Sequence, residues 1–343
     1  MTSEKILYGV RDTFESAAKK ATPKYKTTPG RILFAGFMAG AFIAFGFILA
    51  IVASAGYNPK LFPDEGNISA FKLLLGAMFP VGLIAVVLAG ADLWTGNVLF
   101  LSSAKAKRYA GFKDVLYNWI GSYGGNYIGS FFLALVAAVL VGIVAEDPFK
   151  TTVIGIATEK VSHSFLEIVF SAIGCNWLVN VAIWQSARVN DGAGKILSMW
   201  FPIFAFVAIG FEHSVANMWA IPTAIFLSDY TTLTWSIFFI KNLIPVTIGN
   251  AIGGFFFVTF YYWYLSHPEI GPSEMIKEIV DFIAVSVTFL VIMVGVPTVV
   301  AIVLDNTLGA GIKFITPLII SIYAIIAAFA MYGQVKAKVG ASA

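Results

Sequence analysis

Charge is what this sequence lacks most: only 12% of its 343 residues are Asp, Glu, Lys or Arg, against roughly 25% in a soluble globular chain. With 59% of residues hydrophobic and a mean hydropathy of +0.84, so much apolar surface cannot be hidden in one soluble core. Lipid is the expected solvent for most of the chain. Cysteine is nearly absent: the single Cys175 excludes an internal disulfide, and its place in an apolar run makes it a small buried hydrophobe. The three histidines are scattered, which leaves no clustered metal-ligand set, and no cofactor is expected. A formal charge of +3 is too small to suggest nucleic acid as a partner. No Gly-x4-Gly-Lys-Ser/Thr run supplies the phosphate cradle of a nucleotide-driven pump. The paired Asn-Pro-Ala signatures expected of water and glycerol channels are missing too. The first 31 residues are polar and basic, with no apolar stretch before a cleavage site, so the first hydrophobic span is expected to stay as a membrane helix.

Phenylalanine and glycine are plentiful, 31 of each; the first suits narrow apolar constrictions, the second close helix approach or helix breaks. Apolar segments lie at 32–55, 71–101, 115–145, 165–187, 196–227, 241–265, 279–304 and 312–333. Since about 20 residues span a bilayer, they predict an all-α polytopic membrane protein of eight spans. Residues 3–21 read as an amphipathic helix, with Ile6, Val10 and Phe14 on one face and Lys5, Arg11, Glu15 and Lys19 on others. Such a helix lies on a membrane surface, where it either gates a pore mouth or only covers it. Lys and Arg crowd the N-terminus, residues 105–113, Arg188 and Lys195, and the tail at Lys336 and Lys338. Both termini are therefore expected on the cytoplasmic side, although the segment 266–278 is acidic.

The third and sixth spans share a pattern, N-x-I-x4-G-N-x-I-G-x-F, running from Asn118 to Phe131 and from Asn242 to Phe255 at one constant offset. The second and fifth match through Gly90-Ala91-Asp92 with Gly210-Phe211-Glu212, Asn97 with Asn217, and Phe79-Pro80 with Phe201-Pro202. A unit of three spans reverses direction at its second copy, which makes an inverted repeat with its pathway near the midplane between the halves. The organisation is a cytoplasmic helix over 1–31, a pore domain over 32–265 (repeats 32–145 and 165–265), and two further membrane helices over 279–333.

Asp92 to Asn97 and Glu212 to Asn217 place polar residues in mid-span, where an ionised group costs about 2.5–3.5 kcal/mol and irregular backbone survives only inside protein or beside water. Both segments therefore read as broken helices whose N–H groups present partial positive charge to an anion. His213 is the one histidine inside a span. Near neutral pH it exchanges or shares a proton, or else it is a structural residue bonded to Glu212 or a carbonyl. Thr95, in the corresponding break, either caps its helix or bonds His213. Asp92 and Glu212 are expected to cap freed backbone N–H groups, and Asn97, Asn217, Asn126 and Asn250 to tie the broken segments to their neighbours.

The blocks Gly90-Ala91-Asp92-Leu93-Trp94-Thr95, Asn176-Trp177-Leu178-Val179, Gly210 to Met218 and Asn242 to Asn250 resemble the formate/nitrite transporter family. The resemblance runs over about residues 5 to 265. It implies a homopentamer of aquaporin-like protomers, each with its own pore, in the plasma membrane. It implies that His213 is the central pore histidine with Thr95 as partner, and that Phe79, Leu83 and Phe206 form an outer constriction. Leu93 and Val179 would form an inner one, with Asn176 beside it and Asn250 near the pathway. Lys160 would be an outer-vestibule lysine that draws anions in. The expected cargo is a small monovalent anion accompanied by a proton, formate first, nitrite or hydrosulfide next. The expectation from a different class is a membrane enzyme using the Asp92, Glu212 and His213 cluster. Family members have six spans, so 279–304 and 312–333 are a departure.

Overall fold

The computed structural model describes residues 7–64 and 66–340, with the side chains of all but 310, 311 and 337–340. Among these residues the chain is helical, with one isolated bridge, Leu7 to Val189. Helix α1 (Val10–Tyr25) precedes α2 (Pro29–Tyr57), α3 (Asn67–Leu88), α4 (Trp94–Ala106) and α5 (Phe112–Leu140). The second half runs through α6 (Phe149–Ser162), α7 (Phe165–Arg188), α8 (Gly192–Ile209), α9 (Ser214–Leu227) and α10 (Trp235–Ser266). Helices α11 (Pro272–Leu308) and α12 (Ile315–Gly340) complete it. Eight of them are long and apolar enough to cross a membrane.

The two interrupted spans are built alike. Helix α3 stops at Gly90, φ 76°, and α8 at Gly210, φ 94°. These left-handed positions favour glycine and close each helix C-terminus, with Ala91 N–H donating to Val86 O and Phe211 N–H to Phe206 O, both at 2.9 Å. The chain then crosses three non-helical residues and starts a new helix at Trp94 or Ser214. The breaks thus sit at the N-terminal end of the segments expected to be irregular, and Trp94 to Asn97 and Ser214 to Asn217 are first turns of helix.

Glycine also sets the distance between spans. A Cβ on Gly40 would stand 2.1 Å from the Asn126 carbonyl oxygen, and one on Gly129 2.0 Å from that of Phe37. Helices α2 and α5 therefore touch backbone to backbone, as small-residue membrane interfaces do. In the second half a Cβ on Gly249 or Gly253 would stand 2.3 Å from the Val169 or Ile173 carbonyl oxygen of α7.

Helix α1 differs from expectation. Residues 3–6, including Lys5 and Ile6, lie outside the described residues, and Leu7 to Gly9 are not helical. The buried stripe is Phe14, Ala17, Ala18, Ala21 and Tyr25. Rather than resting on lipid, it packs on α4 and the end of α10. Helix α6 packs on α9 in the same way. Helices α1 and α6 thus occupy corresponding places, each ahead of one set of three spans.

The two extra helices lie against α5 and α10. Phe289 stacks on Trp94 at 5.1 Å and Phe282 on Phe255 at 3.8 Å. Helix α11 starts at Pro272, earlier than the apolar run suggests, because Glu274, Lys277 and Glu278 occupy its first turns. Those residues explain the acidic segment. Arg11 pairs with Glu269, Arg108 with Glu274, and Lys105 with Glu278 and Asp281 at 3.2 and 2.5 Å. Basic residues of α1, the last turn of α4 and the α4–α5 connection thus meet their counter-charges on the same face.

Glu15 on α1 bonds Lys107 at 2.6 Å. Burial alone would raise its carboxyl, but the Lys107 bond and charge, helped by Tyr109 and His267, hold it below its ordinary 4.5. The pair's contribution is present above pH 4.5 and lost as pH falls through the lower folded value. Glu15→Gln is expected to speed tryptic cleavage at exposed Lys19 and Lys20 severalfold at neutral pH. Equal cleavage rates would mean that this pair does not hold α1 down.

Candidate functional site

Each helix break is held by an asparagine reaching across from a neighbouring span. Asn126 Oδ1 accepts from Trp94 N–H at 2.9 Å, while its Nδ2 donates to the Gly36 and Asp92 carbonyls. Asn250 repeats this, accepting from Ser214 N–H at 2.9 Å and donating to the Ala172 and Glu212 carbonyls. Both asparagines are fully buried. Backbone groups that a break would leave unpaired in the membrane interior are thereby satisfied.

The carboxylates act differently from expectation, bonding side chains rather than backbone N–H groups. Asp92 accepts from Lys24 Nζ at 2.5 Å, Asn97 Nδ2 at 2.8 Å and Asn118 Nδ2 at 3.0 Å. Glu212 accepts from Lys160 Nζ at 2.9 Å, Asn217 Nδ2 at 2.5 Å and Asn242 Nδ2 at 3.2 Å. Asn118 also donates to the Lys24 carbonyl and Asn242 to that of Lys160. A buried carboxylate is stable only with such partners. Lys24 is thus the symmetry mate of Lys160. Its sequence context, a basic stretch ahead of the first span, carries no sign of that role.

The halves diverge where the pathway should be. By the N-cap positions and the asparagine bonds, the residue equivalent to His213 is Leu93, and Thr95 is equivalent to Val215. One imidazole therefore faces no counterpart of its own kind. His213 caps α9, its Nδ1 accepting from Ala216 N–H at 3.1 Å. Its Nε2 lies 3.0 Å from Thr95 Oγ1. As Nδ1 is an acceptor, the neutral ring carries its proton on Nε2, toward Thr95. The carbonyl of Thr95 accepts from Asn176 and Asn180 Nδ2 at 3.3 and 3.1 Å. Asn180 had not been singled out.

A cavity of about 200 Å³, room for several waters, leads in from the end of the bundle bearing α6. Phe79, Phe206 and His213 line it. The Phe79 and Phe206 rings meet edge to face at 5.7 Å, and Phe206 lies 5.9 Å from the imidazole. Lys160, Glu212 and Asn217 line the same space. Leu83, Leu93, Val179, Thr95, Asn176 and Asn250 are buried but are not among its lining residues. The structure therefore brings His213, Thr95, Asn176 and Asn250 into one bonded group, with Phe79 and Phe206 on its outer side. Leu83, Leu93 and Val179 belong to the surrounding apolar core.

This arrangement suits passage. It offers an open approach, an aromatic narrowing and one imidazole N–H beside the Thr95 hydroxyl. Comparison with known proteins agrees. The formate/nitrite transporter family matches residues 11–264, stopping before α11. A Methanothermobacter thermautotrophicus protein named "Probable formate transporter" is 43% identical over 267 residues, 74% of this chain and 95% of its own. A formate channel of Escherichia coli K12 is 35% identical over 259 residues, 70% of this chain and 88% of its own. Among solved structures, an FNT family ion channel reaches a TM-score of 0.68 at 29% identity, covering 74% of this chain and 98% of its own. A pentameric formate channel with formate bound reaches 0.61 at 30% identity, covering 69% and 97%. These are transport proteins, and the enzymatic reading of Asp92, Glu212 and His213 gives way to them. This chain is a multi-pass membrane transport protein, and it belongs to the formate/nitrite transporter family.

Proposed function

We propose that the protein is a channel for formate, which enters as the anion and crosses its apolar constrictions largely as formic acid. The observation that carries this reading is His213 at the floor of the outer cavity, behind Phe79 and Phe206 and bonded to Thr95. Moving a bare anion into a low-dielectric site costs ~20 kcal/mol by the ideal Born estimate and still several after relaxation. Protonating a carboxylate of pKa ~3.5 at neutral pH costs only ~5 kcal/mol. Protonation is the cheaper route.

His213 supports that route by donating Nε2–H to the passing carboxyl group. The proton comes from His213 or from water near it; a ring that takes a second proton gives up the Ala216 bond while it holds it. Phe79, Leu83 and Phe206 form the outer narrowing, Leu93 and Val179 the inner one, and Asn176 and Asn250 the polar wall between them. Asp92, Glu212, Asn97 and Asn217 keep the breaks in shape. Lys160 belongs to that scaffold through Glu212 while also bordering the vestibule. The assembly is a homopentamer in the plasma membrane with both termini cytoplasmic, a reading supported by likeness to a pentameric formate channel for the oligomer and by the placing of Lys and Arg for the orientation.

Proteoliposome uptake of formate, nitrite, hydrosulfide, acetate and lactate at two pH values tests the proposal. Formate is expected to be taken up fastest, faster at the lower pH. Faster nitrite or hydrosulfide would reassign the substrate within the family, and current carried by formate without proton coupling would overturn the neutral-acid route.

A further inference from the structure

Lys160 is bound to Glu212 at 2.9 Å, only 14% of its side chain exposed, so its charge is largely cancelled where anions arrive. Two other lysines line the same cavity, Lys60 in the α2–α3 connection and Lys72 on α3. Both are exposed, and neither is in an ion pair among the described residues. The Lys60 amino group reaches over α6, 3.9 Å from where a Cβ on Gly155 would stand. Lys72 shares the cavity-facing side of α3 with Phe71, Leu75 and Phe79. Seven residues separate Lys72 from Phe79, about 10 Å along a helix, which is about one Debye length. The carboxylates lining the cavity are Glu159 and Glu212. With Glu212 taken by Lys160, Glu159 is the remaining carboxylate among the described residues that line the cavity.

We propose that Lys60 and Lys72 are the charges that gather small monovalent anions at the outer mouth, setting apparent affinity rather than the rate of passage. This rests on the anion-channel reading. Both are solvated charges on the cavity, Lys72 about a Debye length from the narrowing; a charge at that distance changes the local anion concentration about twofold, and two together about fourfold, at low salt.

The double variant Lys60→Gln, Lys72→Gln is expected to raise the KM for formate uptake about fourfold at low salt, with the maximal rate unchanged. The difference should vanish at high salt. Glu159→Gln should shift KM the opposite way, which a merely structural role would not do. An unchanged low-salt KM in the double variant, or an equal change at every salt concentration, would overturn the proposal.

A second readout does not depend on flux. Gly155→Cys introduces a thiol where a Cβ meets nothing nearer than Lys60, while Cys175 is fully buried. An anionic methanethiosulfonate reagent should label it faster than the cationic counterpart. That preference should fall about fourfold when both lysines are replaced. An unchanged preference sinks the anion-gathering role whatever the flux does. A reduced preference without formate uptake by the unsubstituted protein sinks the formate reading and leaves the lysines' role intact.

Discussion

His213→Phe is expected to lower formate flux at acidic pH by roughly a hundredfold, the low end of what a positioned proton-handling group contributes, and to flatten its pH dependence. Phenylalanine removes both the cap on Ala216 N–H and the partner of Thr95 Oγ1. Loss of an N-cap alone costs ~1 kcal/mol of stability, so lost flux in this variant has two possible causes. His213→Asn separates them. Asparagine is among the best N-caps and should keep α9 in place, yet it has no ring to hold or share a proton. Flux that stays low in a correctly folded Asn variant assigns the effect to the imidazole. Full flux with an unaltered pH profile in that variant would remove His213 from proton passage.

The second large effect is structural. Gly129→Ala and Gly40→Ala each force a methyl group to within about 2 Å of a backbone carbonyl on the facing helix, and no side-chain rotation relieves the clash. Helices α2 and α5 would have to separate, disturbing the Asn126 bonds to the Gly36 and Asp92 carbonyls. Overpacking of this kind costs about 1–3 kcal/mol and occasionally more, against a gain of up to ~1 kcal/mol from alanine's helix preference. The expected result is a clear fall in thermal stability in detergent and loss of the assembled protein. Gly333→Ala is the control, since an added Cβ there meets nothing within 4 Å, and it should be neutral or slightly stabilising. Equal stability of all three variants would contradict the backbone contact between α2 and α5.

Much of the site could be read in advance because its residues are expensive in lipid. Asp92, Glu212 and His213 stand out in apolar runs, and Gly90 and Gly210 announce the breaks beside them. The duplicated asparagines were visible from their constant spacing, although not which groups they would satisfy. Lys24 was not visible as a site residue. It sits in a basic stretch that resembles any cytoplasmic tail, and only folding places it 2.5 Å from Asp92. Lys160 showed the converse limit, since its spacing carried no information about Glu212, 52 positions away, as its partner. Thr95 was matched to His213 by break rather than by register, and the caps show Leu93 in the equivalent place.

Hydropathy and the internal repeat were enough to dictate membrane spans, two broken helices and an inverted pair of halves. Lipid solvates neither charge nor open backbone, so these features follow from local composition alone. Folding alone decided which buried carboxylate meets which lysine, which imidazole nitrogen points to Thr95, and that the acidic start of α11 clasps Lys105 and Arg108. Those outcomes depend on contacts between residues far apart in the chain, whose geometry is set by how closely glycine lets the helices approach.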